Sequence, residues 1–259
     1  MSTPHAAHTA EPAVGTQTDD SIHHCLPHAR QVLAVCAHPD DESFGLGAVL
    51  ATLAERGARV RELCFTSGEA STLGRTDRPL ADVRAEELTA AAEVLGVDHV
   101  QLFSYPDGRL SQPPLDELTD HVLGALGEAD LLLVFDDNGI TGHPDHRRAT
   151  EAALAAATAS EIPVLAWALP QSVAERLNAE FGTGFSGRRS AELDLTIEVD
   201  RARQRAAIGC HATQSDDNPV LWRRLDLLGN REHLRWLHRP PANHRDDRPC
   251  EDSQERVTR

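Results

Sequence analysis

Two runs of the chain, Val32-Leu33-Ala34-Val35-Cys36 and Leu131-Leu132-Leu133-Val134-Phe135, carry no polar side chain. A strand with one wet face would alternate polar and apolar residues. Runs this short and apolar throughout read as strands buried on both faces, the habit of parallel sheets covered by helices. The rest of the pattern agrees. A strand at 31–36 precedes a helix at 44–56 with Leu46, Val49, Leu50 and Leu53 at helical spacing, stopped by Gly57. A strand at 59–65 leads through Thr66-Ser67-Gly68-Glu69-Ala70-Ser71 to a helix at 80–95, ended by Gly96. A strand at 99–104 runs into Tyr105-Pro106-Asp107-Gly108, a turn by composition. Next come a helix at 115–127, a strand at 130–135, a helix at 144–158, a strand at 163–168 and a helix at 171–180. Apolar runs near 193–199 and 220–228 predict a sixth strand and one or two further helices. The expectation is one Rossmann-like α/β domain over 29–239, mostly parallel, with helices on both faces. Residues 1–28 are expected to form a disordered arm and 240–259 a disordered tail.

The segment just after each apolar run carries the chemistry. Ala37-His38-Pro39-Asp40-Asp41-Glu42 comes after the first, and Gly142-His143-Pro144-Asp145-His146 after the second. Taken singly, each also reads as a helix start, with Pro and acidic residues in the first turn. If the strand order is 3-2-1-4-5, strands 1 and 4 adjoin, and their carboxyl ends form one crevice at the switch point. His38, Asp41 and His146 would then offer two nitrogens and one oxygen to a divalent ion. This set suits a catalytic zinc with an open position. Such an ion brings the pKa of its water from near 16 to about 7. Asp40 would serve as general base. His143 would donate to the developing oxyanion, with Asp145 holding its imidazole protonated. Fe²⁺ is the alternative ion.

Composition removes several function classes. The formal charge is −16, against nucleic acid and anionic lipid as partners. Every basic residue is Arg; with no Lys, Schiff-base chemistry and a phosphate-loop lysine are excluded. No apolar stretch approaches the ~20 residues of a membrane span, and the N-terminus has no apolar signal core. Cys25, Cys36, Cys64, Cys210 and Cys250 are odd in number and scattered, which fits a reducing cytoplasm. A homo-oligomer stays open.

The two clusters together resemble the PIG-L/LmbE-like deacetylase family. The resemblance extends to Thr66-Ser67-Gly68-Glu69, Arg84-Ala85-Glu86-Glu87, Leu95-Gly96-Val97, Pro106-Asp107-Gly108 and His211-Ala212-Thr213-Gln214, over about 31–215. It implies a metal-dependent N-deacetylase of acetylated amino sugars and related conjugates, acting on a small-molecule N-acetylated substrate. It implies His38, Asp41 and His146 as zinc ligands, Asp40 as base and His143 as oxyanion stabiliser. It also implies substrate contacts from Arg84 and Asp107. The chain departs from mycothiol-making members in lacking a Tyr before the second cluster and in a short segment between strands two and three.

Two other readings fit the same residues: a non-haem iron oxygenase with a two-His, one-carboxylate site, which would be all-β, and a ligand-binding α/β module whose acidic loops only cap helices. His211 either braces the site or caps its helix. His23, His24 and His28 read as solvated, Arg201, Arg203 and Arg205 as a solvated helix face, and Trp222 and Trp236 as packing.

Overall fold

A computed structural model describes residues 26–239. The alternation is realised as β1 (Gln31–Cys36), α1 (Asp41–Phe44), α2 (Gly47–Glu55), β2 (Arg59–Thr66), α3 (Leu80–Leu95), β3 (Val97–Tyr105), α4 (Leu115–Leu126) and β4 (Leu131–Phe135). The chain continues through α5 (Gly139–Gly142), α6 (Pro144–Ser160), β5 (Val164–Trp167), α7 (Gln171–Phe181), β6 (Leu195–Glu198), α8 (Ala202–Cys210), α9 (Ala212–Ser215), α10 (Pro219–Leu228) and β7 (Arg231–His238). The sheet order is β3-β2-β1-β4-β5-β7-β6. The first five strands are parallel, and β7 runs antiparallel to both β5 and β6. The α/β sheet is not the all-β architecture that the oxygenase reading requires.

The two apolar runs occupy the centre of the sheet, and their alternate side chains feed two cores. Val32, Ala34 and Cys36 face one layer together with Leu131, Leu133 and Phe135, under α2, α3, α7 and α8. Leu33, Val35, Leu132 and Val134 face the other, under α4 and α6. Burial on both faces is why these strands tolerate no polar residue.

Three details differ from the sequence reading. The helix expected at 44–56 is two pieces, broken at Gly45 and Leu46. A side chain at Gly45 would run into the Phe135 ring, which explains the glycine at the break. Strand β7 is absent from the sequence reading; its Glu232 and Leu234 are buried, while its Arg, His and Trp residues disguise it. Leu26, inside the expected arm, is buried in the first core. His28 is exposed, as expected; residues 1–25 of the arm, with His23 and His24, and the 240–259 tail lie outside the described residues. Among the described residues, no helix is long and apolar enough to cross a membrane.

Candidate metal centre

Strands β1 and β4 are hydrogen-bonded neighbours, so the two His/Asp loops leave the same edge of the sheet side by side. In the first loop, Asp40 takes a left-handed conformation at φ 115°. For a residue with a Cβ this is strained by about 1–3 kcal/mol. The turn delivers Asp41 to the first turn of α1. There its Oδ2 accepts the N–H groups of Ala37 at 2.9 Å and His38 at 3.0 Å. Its Oδ1 faces the second loop, 3.1 Å from Nε2 of His146. That loop is strained too, with Ile140 at φ 64°. Pro144 then opens α6, whose first turn carries His143 and His146 with ring centroids 4.8 Å apart.

Nδ1 of His38 lies 3.2 Å from Nε2 of His146 and 3.8 Å from Oδ2 of Asp41. The second nitrogen of each ring has an oxygen nearby. Nδ1 of His146 sits 3.2 Å from the Gly139 carbonyl. Nε2 of His38 sits 3.0 Å from Oδ1 of Asp107 and 3.4 Å from Oδ2 of Asp145. A proton on each of those outer nitrogens would leave the inner nitrogens unprotonated, 3.2 Å apart and beside the Asp41 carboxylate. Metal-binding histidines are held by outer partners of this kind. Burial pulls the His38 pKa down, but Asp107 and Asp145 outweigh it and raise it to about 10. The pocket therefore favours positive charge at this ring. For Asp41 burial opposes ionisation, yet His146 and His38 hold its carboxyl below the usual range. Ligand atoms of His38, His143 and His146 lie within 4.8 Å of one another, as do those of His38, Asp107 and Asp145. With Asp41 3.1 Å from His146, the cluster fits a divalent ion, and imidazoles with a carboxylate suit Zn²⁺ or Fe²⁺.

Asp40 lies beside this set. Burial raises its pKa, Arg84 lowers it and Asp41 raises it, leaving it at about 6. A carboxylate poised there can take a proton near neutral pH. Arg84, expected from the sequence to read the substrate, is buried instead. It donates to Oδ2 of Asp40 at 2.7 Å, to the Gly68 carbonyl at 2.6 Å and to the Pro39 carbonyl. Its guanidinium passes so close to Gly68 (φ 63°) that a Cβ there would collide with it, which explains the glycine. Asp107, the other expected substrate contact, has both oxygens occupied, one near His38 and the other accepting the Ala70 N–H at 3.0 Å.

Asp145 does not take its expected place behind the His143 imidazole. Its carboxylate accepts the N–H groups of Gly108 at 2.7 Å and Leu110 at 3.1 Å, besides facing His38. Its backbone N–H donates to Nδ1 of His143 at 3.2 Å. Burial first, then His146 and His38, lower the His143 pKa. With Nδ1 accepting from the Asp145 N–H, an uncharged His143 ring carries its proton on Nε2.

One part of the site and one ion pair away from it escaped sequence reasoning. Glu42, fully buried, is held by Nε2 of His211 at 2.6 Å and accepts the Asp40 N–H at 2.9 Å. His211 stands out as a motif residue, but nothing local links it to Glu42. Arg201, read as solvated, is buried against Glu232, which also accepts from Trp167 Nε1 at 2.6 Å.

A family model described as "PIG-L: GlcNAc-PI de-N-acetylase" matches residues 33–157, which hold both loops. The chain is 32% identical to the 1D-myo-inositol 2-acetamido-2-deoxy-alpha-D-glucopyranoside deacetylase of Salinispora arenicola, over 74% of this chain and 79% of that protein. The zinc-inhibited form of a teicoplanin deacetylase has a similar fold at TM-score 0.59 and 21% identity, covering 80% of this chain and 97% of that one. So does the 4-carboxy-2-hydroxymuconate hydratase of Pseudomonas putida, at TM-score 0.64 and 20% identity, covering 82% and 98%. The last two show the fold alone, and one of them is a hydratase, so the fold by itself does not name the reaction.

Proposed function

Since the chain belongs to the PIG-L family, we propose that it hydrolyses the N-acetyl amide of an amino sugar or sugar-like conjugate. The observation that carries this reading is the convergence of His38 Nδ1, Asp41 Oδ1 and His146 Nε2 beside the poised carboxylate of Asp40. A divalent ion held there supplies Lewis acidity to water and to the amide carbonyl. We take Zn²⁺ as the ion, on the nitrogen-rich donor set, with Fe²⁺ as the alternative.

Each residue of the site has its own task. Asp40 takes the proton of the attacking water and returns it to the amide nitrogen as the C–N bond breaks, releasing acetate and a free amine. Arg84 holds one oxygen of Asp40, so the other is presented to that proton. His143 donates its Nε2 proton to the carbonyl oxygen as charge develops on it, and does so as a neutral ring. Asp107 and Asp145 hold His38 in its tautomer from behind. The buried free thiols of Cys36 and Cys64 support a reducing cytoplasm as the setting.

The test is to incubate the Zn²⁺- or Fe²⁺-loaded protein with N-acetylated amino sugars, inositol-linked and glycopeptide-linked ones included, and to measure free amine and acetate. Release from at least one is expected. Full metal occupancy with no amine from any of them would overturn the reading.

A further inference from the structure

The left-handed turn at Asp40 needs something to hold it, because a strained backbone persists only where its surroundings over-determine it. The surroundings are specific. The Asp40 N–H donates to Oε2 of Glu42 at 2.9 Å. The other oxygen of Glu42 is fixed by Nε2 of His211 at 2.6 Å and by the Ser43 hydroxyl at 2.5 Å. Glu42, Ser43 and His211 have no exposure to solvent. The His211 ring stands edge-on to Phe44, with centroids 5.9 Å apart and planes at 84°.

The bland explanation for His211 is helix capping, since it sits between α8 and α9. Its side chain makes no capping bond to either helix; the backbone satisfies both ends. Among the described residues, its side chain hydrogen-bonds only across the molecule to Glu42, and its Nδ1 is buried without a partner.

We propose that His211 is a positioning residue: by locking Glu42 onto the Asp40 N–H, it fixes the left-handed turn and with it the direction of the Asp40 carboxylate. The turn is thus held from two sides. Glu42 and His211 set the backbone, and Arg84 sets the head of the side chain. The inference rests on Asp40 being the general base of the deacetylase.

The experiment is a double-mutant cycle on amine release, with metal content and Tm measured alongside. His211→Leu removes the donor to Glu42, and His211→Gln supplies another. Each is made with Asp40 intact and with Asp40→Asn. With Asp40 intact, His211→Leu should lower kcat about 10- to 100-fold, the scale of a misaligned catalytic group, with KM and bound metal unchanged. His211→Gln should recover most of that loss. In the Asp40→Asn background neither change should lower kcat further, since residues acting as a unit are not additive. A purely structural His211 would slow both backgrounds alike, and that result would overturn the proposal, as would an unchanged kcat in His211→Leu. If the leucine variant does not fold, Glu42→Met decides by the same criteria, since a thioether at position 42 replaces the carboxylate that accepts from the Asp40 N–H and faces His211. A wild-type rate unaffected by Asp40→Asn would remove the base itself, and this inference with it.

Discussion

Nη2 of Arg84 donates to Oδ2 of Asp40 at 2.7 Å, from an arginine whose side chain is almost closed to solvent. The pair makes Arg84 an electrostatic partner of the base, and this gives a pH signature. As the proposed base, Asp40 would work only when deprotonated, and its pKa stands raised at about 6 while Arg84 holds it down. The rate should therefore rise with pH through a limb at or below that value, lower still with a cation bound. Arg84→Met removes the opposing charge and should move the limb upward. Its kcat loss should be larger at pH 6 than at pH 8, with KM little changed. A KM increase that is equal at both pH values would return Arg84 to the substrate.

Replacing His38, Asp41 or His146 by Ala should take bound divalent ion from one per chain to none, read by elemental analysis of the dialysed protein. Removing one of three ligands leaves a site too poor to hold the ion. Full metal in all three variants would be incompatible with the assigned centre.

Asp107→Ala tests whether this carboxylate serves His38 or the sugar. With Oδ1 3.0 Å from His38 Nε2, its loss should weaken metal affinity about 10- to 100-fold. Once metal is saturating, kcat/KM for a hydroxyl-rich substrate and for a small N-acetyl compound should fall alike. A selective loss on the sugar would restore the substrate-reading role.

Asp40→Asn and His143→Ala should both retain the ion. The first should lose about 10²–10⁴-fold in kcat and the second about 10²–10³-fold. The His143 variant should show the same fractional loss at pH 7.5 and pH 8.5, because burial and the neighbouring rings hold the His143 pKa below its ordinary value and keep the ring uncharged there.

Away from the site, Arg201→Leu should be among the most damaging substitutions. It strands Glu232, which is buried and shared with Trp167, and removes donors to the Gly229 and Arg231 carbonyls. Breaking one side of a buried ion pair costs about 3–5 kcal/mol, measurable by urea unfolding. Little change would mean that water reaches Glu232.

The sheet's first five strands were legible because β1 and β4 are apolar on both faces and each element ends at a visible signal, such as Gly57 or Gly96. The ligand loops were legible because they abut those strands. Roles that depend on which way a side chain turns were not. Arg84, Asp145 and Arg201 each reach a partner through a fold-level approach that no spacing encodes. Strand β7 was hidden for a related reason. Its buried face includes a charged Glu232, acceptable only because Arg201 arrives from another element.

Strand β7 also has a consequence for synthesis. It comes after β6 in the chain yet lies between β5 and β6 in the sheet. Until residues 231–238 leave the ribosome, the nascent chain presents the unpaired edge of β5, and β6 has no neighbour at all. An open edge on an apolar strand invites pairing with another chain. The interval just before β7 emerges therefore leaves this edge open to pairing with another chain. Chains stalled or cut before Arg231 should aggregate even though every ligand of the metal centre has already been made.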